Sequence, residues 1–198
     1  MGVEKRMADR CNTIRLYSFQ TDVVYQVLKR DGVCYSKEEY VRKKYKESAK
    51  VFINAYGWFV KEVQHIVPKP EGAEYPYWAF TDLYNVDQTG DGHVLTLDVP
   101  IGEAILFDMF DWTKIMQMHY IGENESEEAT FSEKLKNMGM NEFQIMTSNF
   151  YPEQKARIQE SWKRLFGHQQ AIEAGDNSGV HSVQAGLWCI KDEWIVKE

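Results

Sequence analysis

The chain has 198 residues, 43% of them apolar and 27% charged, with a net charge of −7 at pH 7. This balance fits a folded domain rather than a disordered chain, and the acidic surplus counts against a binder that reads nucleic-acid phosphates. No apolar run approaches the roughly 18 residues of a membrane span, and the charged stretch Met1–Arg10 lacks the apolar centre of a secretory signal. The expectation is therefore a loose leader over residues 1–12 and a single cytoplasmic α+β domain over 13–198, without a membrane contact.

Thr13–Phe19 alternates and is rich in β formers, so it reads as the first strand. Thr21 and Asp22 suit a helix start, and Val23, Val24, Val27 and Leu28 supply an apolar face that Asp31-Gly32 ends. Val33–Tyr35 reads as a brief strand. Ser36 with Glu39 has the capping-box spacing and opens the longest expected helix, whose stripe is Phe52, Ile53, Tyr56, Phe59, Val60 and Val63. Its first half, Lys37 to Lys50, is mostly charged and reads as a solvated face, and Pro68 and Pro70 close the helix.

The middle third is a β block. Tyr75–Phe80 is an aromatic strand with Pro76 at its entry, Asp87–Gly92 is a turn, Val94–Val99 is the clearest strand, and Ala104–Phe107 follows the Pro100 and Gly102 break. Helices come next. Asp111 is expected to cap a short helix through Met118, Ser126 to precede a helix that carries Phe131 and Leu135 and stops near Gly139, and Pro152 to start a helix with the face Ile158, Trp162, Leu165 and Phe166. After a loop at residues 173–180, two last strands are expected at Val183–Ile190 and Trp194–Val196. Strands cluster more than they alternate with helices, so the fold class is α+β: a largely antiparallel sheet, one long helix, and a C-terminal helical block before the last strands.

Cys11, Cys34 and Cys189 are too few and too widely spaced for a disulfide framework, and the five histidines show no metal-ligand spacing. Cys34 and Cys189 read as small buried hydrophobes. No metal site is assigned. Asp87-x-Thr89-x-Asp91-Gly92 with Asp98 has the oxygen spacing of a calcium loop, but it enters a strand rather than a helix, and turn chemistry accounts for its residues. Asp108 and Asp111, just after a strand, suit acid–base work or, more plainly, a turn and a helix cap. Aromatic residues make up 14% of the chain; Trp78, Trp112 and their neighbours suit both core and ring-stacking roles. Glycine-rich phosphate loops, nucleophile elbows and zincin motifs are absent from the sequence.

Several segments in order carry a resemblance. They are Leu16–Gln20 followed by a helix ending at Asp31-Gly32-Val33; Pro70–Phe80; Val94–Pro100 running into Ile105–Asp108 and Trp112; Ile158–Trp162 with Leu165-Phe166; and Val183-Gln184-Ala185 with Leu187-Trp188 and Glu193–Ile195. Together they resemble the bacterial family called domain of unknown function 3841, over about residues 13 to 197. That resemblance implies a small bacterial cytosolic protein with no assigned activity.

At the level of fold the chain also resembles ADP-ribosyltransferases, which open on a short strand bearing a polar NAD-contacting residue and place a Glu near a late strand. This second resemblance implies NAD as substrate and Glu193 and Gln184 at the catalytic positions. Gln20, Tyr17, Trp78, Asp108 and Trp112 would be substrate-binding, with a carboxylate stabilising oxocarbenium charge. Gln184 is neutral where that family has an acid. The alternative is a non-catalytic protein-interaction or regulatory module, for which the basic run Lys37–Lys46 is a candidate surface. The expected partner is a small nucleotide or another protein.

Overall fold

The computed structural model describes residues 12–197, apart from the side chains of residues 44, 48 and 50. The expected N-terminal leader, Asn12 excepted, and Cys11 lie outside the described residues. The strands are β1 (Thr13–Gln20), β2 (Val33–Tyr35), β3 (Tyr77–Phe80), β4 (His93–Pro100), β5 (Ala104–Asp108), β6 (Val183–Leu187) and β7 (Cys189–Lys191). The helices are α1 (Asp22–Asp31), α2 (Glu38–Tyr45), α3 (Ala49–Val63), α4 (Met109–Met116), α5 (Glu125–Asn137), α6 (Glu142–Thr147), α7 (Pro152–Ser161) and α8 (Gln169–Glu173). The fold is α+β, with a five-stranded antiparallel sheet ordered β4-β1-β3-β6-β5 and a small antiparallel pair, β2-β7.

Register sorts the side chains onto two faces, because residues opposite each other in a ladder point the same way. Leu16 opposes Leu97, and Ala185 opposes both Ala79 and Leu106. With Tyr77, Val99 and Leu187 they form the core under α1 and α8, where Leu28 and Ile172 are buried. The other face presents Trp78, Ile105 and Phe107 to α3 and α4. There Tyr56, Phe59 and Trp112 join the helical block through Ile158, Trp162 and Leu165. Gly186 lies on that face opposite Trp78 and Ile105, and a Cβ there would stand 3.0 Å from the Phe59 ring. Glycine at this point lets α3 sit close on the sheet.

The chain departs from the sequence expectation where tertiary contacts select among equivalent local signals. The expected long helix is broken. After α2 the backbone turns at Lys46, whose φ is 48°, and passes through a 3-10 turn into α3. The break folds α2 back on α3, burying Val41 and stacking Tyr45 on Phe52 at 3.7 Å between ring centroids. The Ser36–Glu39 capping box does not form. Ser36 bridges Tyr75 instead, and the Glu74 carboxylate accepts from the Glu38 N–H. Likewise the cap of α4 is Asp108, not Asp111, and the cap of α5 is Asn124, not the Ser126 region. The expected strand Val183–Ile190 is split at Trp188, whose indole N–H donates to the Val67 carbonyl as the chain leaves the large sheet for the small one. Trp194–Val196 is not a strand: a 3-10 turn ends at Trp194, and Ile195 makes one isolated bridge to Leu97.

Candidate acid–base site at the strand ends

β5 is buried along its whole length and ends on Asp108. Two things follow from that position. The chain turns into α4, whose first N–H groups need an acceptor, and the Asp108 Oδ1 takes the Phe110 N–H at 2.9 Å. The antiparallel partner β6 starts at Val183, opposite Asp108, so residues 181 and 182 arrive beside the carboxylate. Oδ2 accepts from the His181 backbone N–H at 3.0 Å and faces the His181 Nδ1 at 2.8 Å. The Met109 N–H donates to the Ser182 carbonyl, and the Asn85 side-chain amide donates to the Ser182 hydroxyl at 2.6 Å. Segments after β3, after β5 and before β6 are thus tied together.

The electrostatics follow from burial and hydrogen bonding. Asp108 is 4% exposed, while the His181 side chain is 73% exposed. Burial alone pushes the Asp108 carboxyl up. The His181 and Phe110 backbone N–H groups and the His181 imidazole outweigh it and hold the group below the usual carboxylate range. An ionised carboxylate only accepts hydrogen bonds, so Nδ1 carries the hydrogen, and in the neutral ring Nε2 keeps its lone pair. The Phe110 ring leans on the imidazole at 4.9 Å between centroids, which further limits its rotation. The arrangement is a proton acceptor at the surface, aimed by a buried anion. Asp111, in the first turn of α4, is half-buried, and burial raises its carboxyl despite Lys114 at 3.4 Å.

The other predicted residues are dispersed. Trp78 and Trp112 meet, with ring centroids 4.7 Å apart, and the Trp78 indole N–H donates to the Tyr56 hydroxyl. Tyr17 and Gln184 share their face of the sheet, both opposing Phe80 across the ladder. Gln20 is on the opposite face, where its amide donates to the Ser18 hydroxyl and that hydroxyl to the Trp78 carbonyl. Asp108 shares the face of Gln20, but β1 and β5 are three strand steps apart, about 14 Å. Glu193 is exposed in the turn after β7, where the neighbouring Asp192 N–H bonds the Gly32 carbonyl at the far end of α1. That helix is about 15 Å long and starts just after Gln20. The acids, Gln20 and the aromatic pair therefore do not share one cleft.

Two cavities lie elsewhere. One of about 540 Å³ runs along the outer edge of β4, lined by Arg15, Tyr17, Tyr25, His93 and Thr96 among others. Another of about 560 Å³ lies beside α7. In the Asp87 turn, Asp87 accepts from the Thr89 N–H and hydroxyl, while Asp98 pairs with Arg15, opposite it across the β1–β4 ladder, at the exposed surface. Among the described residues no group of three or more His, Cys, Asp or Glu is placed to hold a metal ion, and no helix is long and apolar enough to cross a membrane. In the basic run, Lys37 bonds the Gly72 carbonyl and Arg42 pairs with Glu38 one turn away.

His181 is the residue that sequence reasoning missed. Its only local signal was a polar residue shortly before a strand. Its meaning appears once β6 is paired with β5, which brings it to an acid 73 positions away. Compared with known proteins, residues 15–196 match the family model described as domain of unknown function (DUF3841). No curated protein and no solved structure matches the chain.

Proposed function

The chain belongs to the DUF3841 family, and we propose that it is an enzyme of acid–base type, in which His181 accepts a proton and Asp108 positions it. The single observation that carries this reading is the two-point hold of one buried carboxylate oxygen on His181, through its backbone N–H and its Nδ1. The reaction class that suits such a group is attack by water on an ester. Nε2 takes the proton of the water as its oxygen bonds to the electrophilic centre, and the imidazolium returns that proton to the leaving oxygen as its bond breaks. The test is turnover of p-nitrophenyl acetate and p-nitrophenyl phosphate by the native chain and by His181→Ala. The expected result is a loss of about 100-fold in the variant, partly restored by free imidazole. Equal rates in the two proteins would refute it.

A second reading is nucleotide binding, with NAD the first candidate. Its support is the resemblance to ADP-ribosyltransferases together with the β4-edge cavity, which includes the predicted residue Tyr17 and the stacked pair Tyr25–His93. The nearby acid Asp98 is engaged by Arg15 through two hydrogen bonds, so at this place the reading is binding rather than ribosyl transfer. An NAD titration followed by intrinsic fluorescence tests it. A saturable change lost in Tyr17→Ala but kept in Gln20→Ala is expected. No change, or loss only in Gln20→Ala, counts against it.

A further inference from the structure

The cavity beside α7 is lined by Tyr120, Arg157, Glu160, Ser161, Lys163 and Arg164, three cations against one carboxylate. Behind Tyr120 and Arg157 lies a buried ring, Phe131. The Phe131 ring lies on the Tyr120 ring at 4.3 Å between centroids, with the Arg157 guanidinium 5.2 Å from the Phe131 ring and that of Arg164 5.9 Å from the Tyr120 ring. Such stacking orients a guanidinium while leaving its N–H edge for another acceptor.

The three cations differ in how far they are used. Arg164 is anchored: it donates to the Ile121 carbonyl at 2.7 Å and stands 3.5 and 3.7 Å from Glu123 and Glu127. The Glu127 carboxylate is itself occupied by the Tyr120 hydroxyl and the Glu123 N–H. Lys163 meets Glu160 in an exposed pair, a contact of small worth that a better acceptor displaces. Arg157 has no ion pair or hydrogen bond among the described residues; it lies over the Phe131 ring, and its charge helps hold the Glu127 carboxyl below the usual carboxylate range. An exposed guanidinium over a ring, with its N–H groups unbonded among the described residues and lining a cavity with two further cations, suits a bidentate oxyanion.

We propose that this cavity binds a small phosphate ester, its phosphate held between Arg157 and Lys163 and its organic part lying against Tyr120. The volume of about 560 Å³ is in the range of small-molecule sites, about 300–1,000 Å³. The site is separate from Asp108 and His181, so it stands whether or not these two support catalysis.

The test uses inorganic phosphate, with acetate and chloride at matched ionic strength, followed by ³¹P line width and by the Arg157 Nε–H resonance in the full chain. The native protein is expected to show saturable phosphate binding that shifts the Arg157 resonance, with acetate much weaker. Arg157→Gln and Lys163→Gln each weaken it by about tenfold or more, as loss of a charge-assisted hydrogen bond requires. Both side chains lie outside the core, so the variants should melt like the native chain in the absence of phosphate. Lys136→Gln, at the end of α5, should bind like the native protein. Non-saturable broadening, equal binding by native and Arg157→Gln proteins, or equal response to chloride would overturn the proposal.

Discussion

His119 and Asp108 titrate in opposite senses, and each sets a different edge of the stability profile. His119 is raised above the ordinary histidine value by its hydrogen bond to Glu142, with the Glu142 and Glu128 charges adding to it and burial opposing. Its contribution is complete below the unfolded value of about 6.5 and is lost as pH rises through the higher folded value. Native protein and His119→Gln should therefore differ most in urea midpoint below about pH 6.5, with the gap narrowing as pH rises above it. A constant gap would contradict the assignment. Asp108 is depressed, so its contribution is present above the unfolded value and is lost as pH falls through the folded one. Asp108→Asn puts an amide donor where an acceptor now takes the His181 N–H or the Phe110 N–H. The expected cost is about 1–3 kcal/mol in equilibrium unfolding.

At the scale of elements, the unpaired edge of β5 is closed by a side chain. Gln169 of α8 accepts from the Leu106 N–H at 2.6 Å and donates to the Ala104 carbonyl at 3.2 Å, taking the place of a neighbouring strand. Gln169→Ala should cost about 1–3 kcal/mol in urea unfolding and reopen an edge for association, read by light scattering. Gly186→Ala drives a methyl into Phe59 and Trp78 and should lower stability by about 1–3 kcal/mol in a thermal melt. Elements with one strong signal were legible: the alternation of β1 and β4, the Asp31-Gly32 stop of α1, and Pro152 opening α7. Caps were less so, because Asp108 and Asp111, or Asn124 and Ser126, are chemically equivalent until packing chooses between them. The capping box Asn141–Gln144 of α6 was present in the sequence but lies in a stretch of weak periodicity. Trp188 reads as part of one strand because nothing local marks a change of sheet.

At the scale of the whole molecule, the two cores on the two faces of one sheet explain both what was readable and what was not. Clustered strands and a helical block before the last pair sufficed for an antiparallel α+β arrangement. The sites depend on strand order, which the pattern does not encode. With order β4-β1-β3-β6-β5, Gln20 and Asp108 are held apart and Asp108 is brought to His181. Asp108 was visible as an acid at a strand end; its partner was not, since the contact spans 73 positions. The most direct measurement is a long-range ¹H–¹⁵N correlation of the His181 ring in the native chain and in Asp108→Asn. A neutral ring protonated at Nδ1, with that tautomer lost in the variant, is the predicted result. A ring protonated at Nε2 in the native chain, or one indifferent to the substitution, would contradict the role assigned to Asp108.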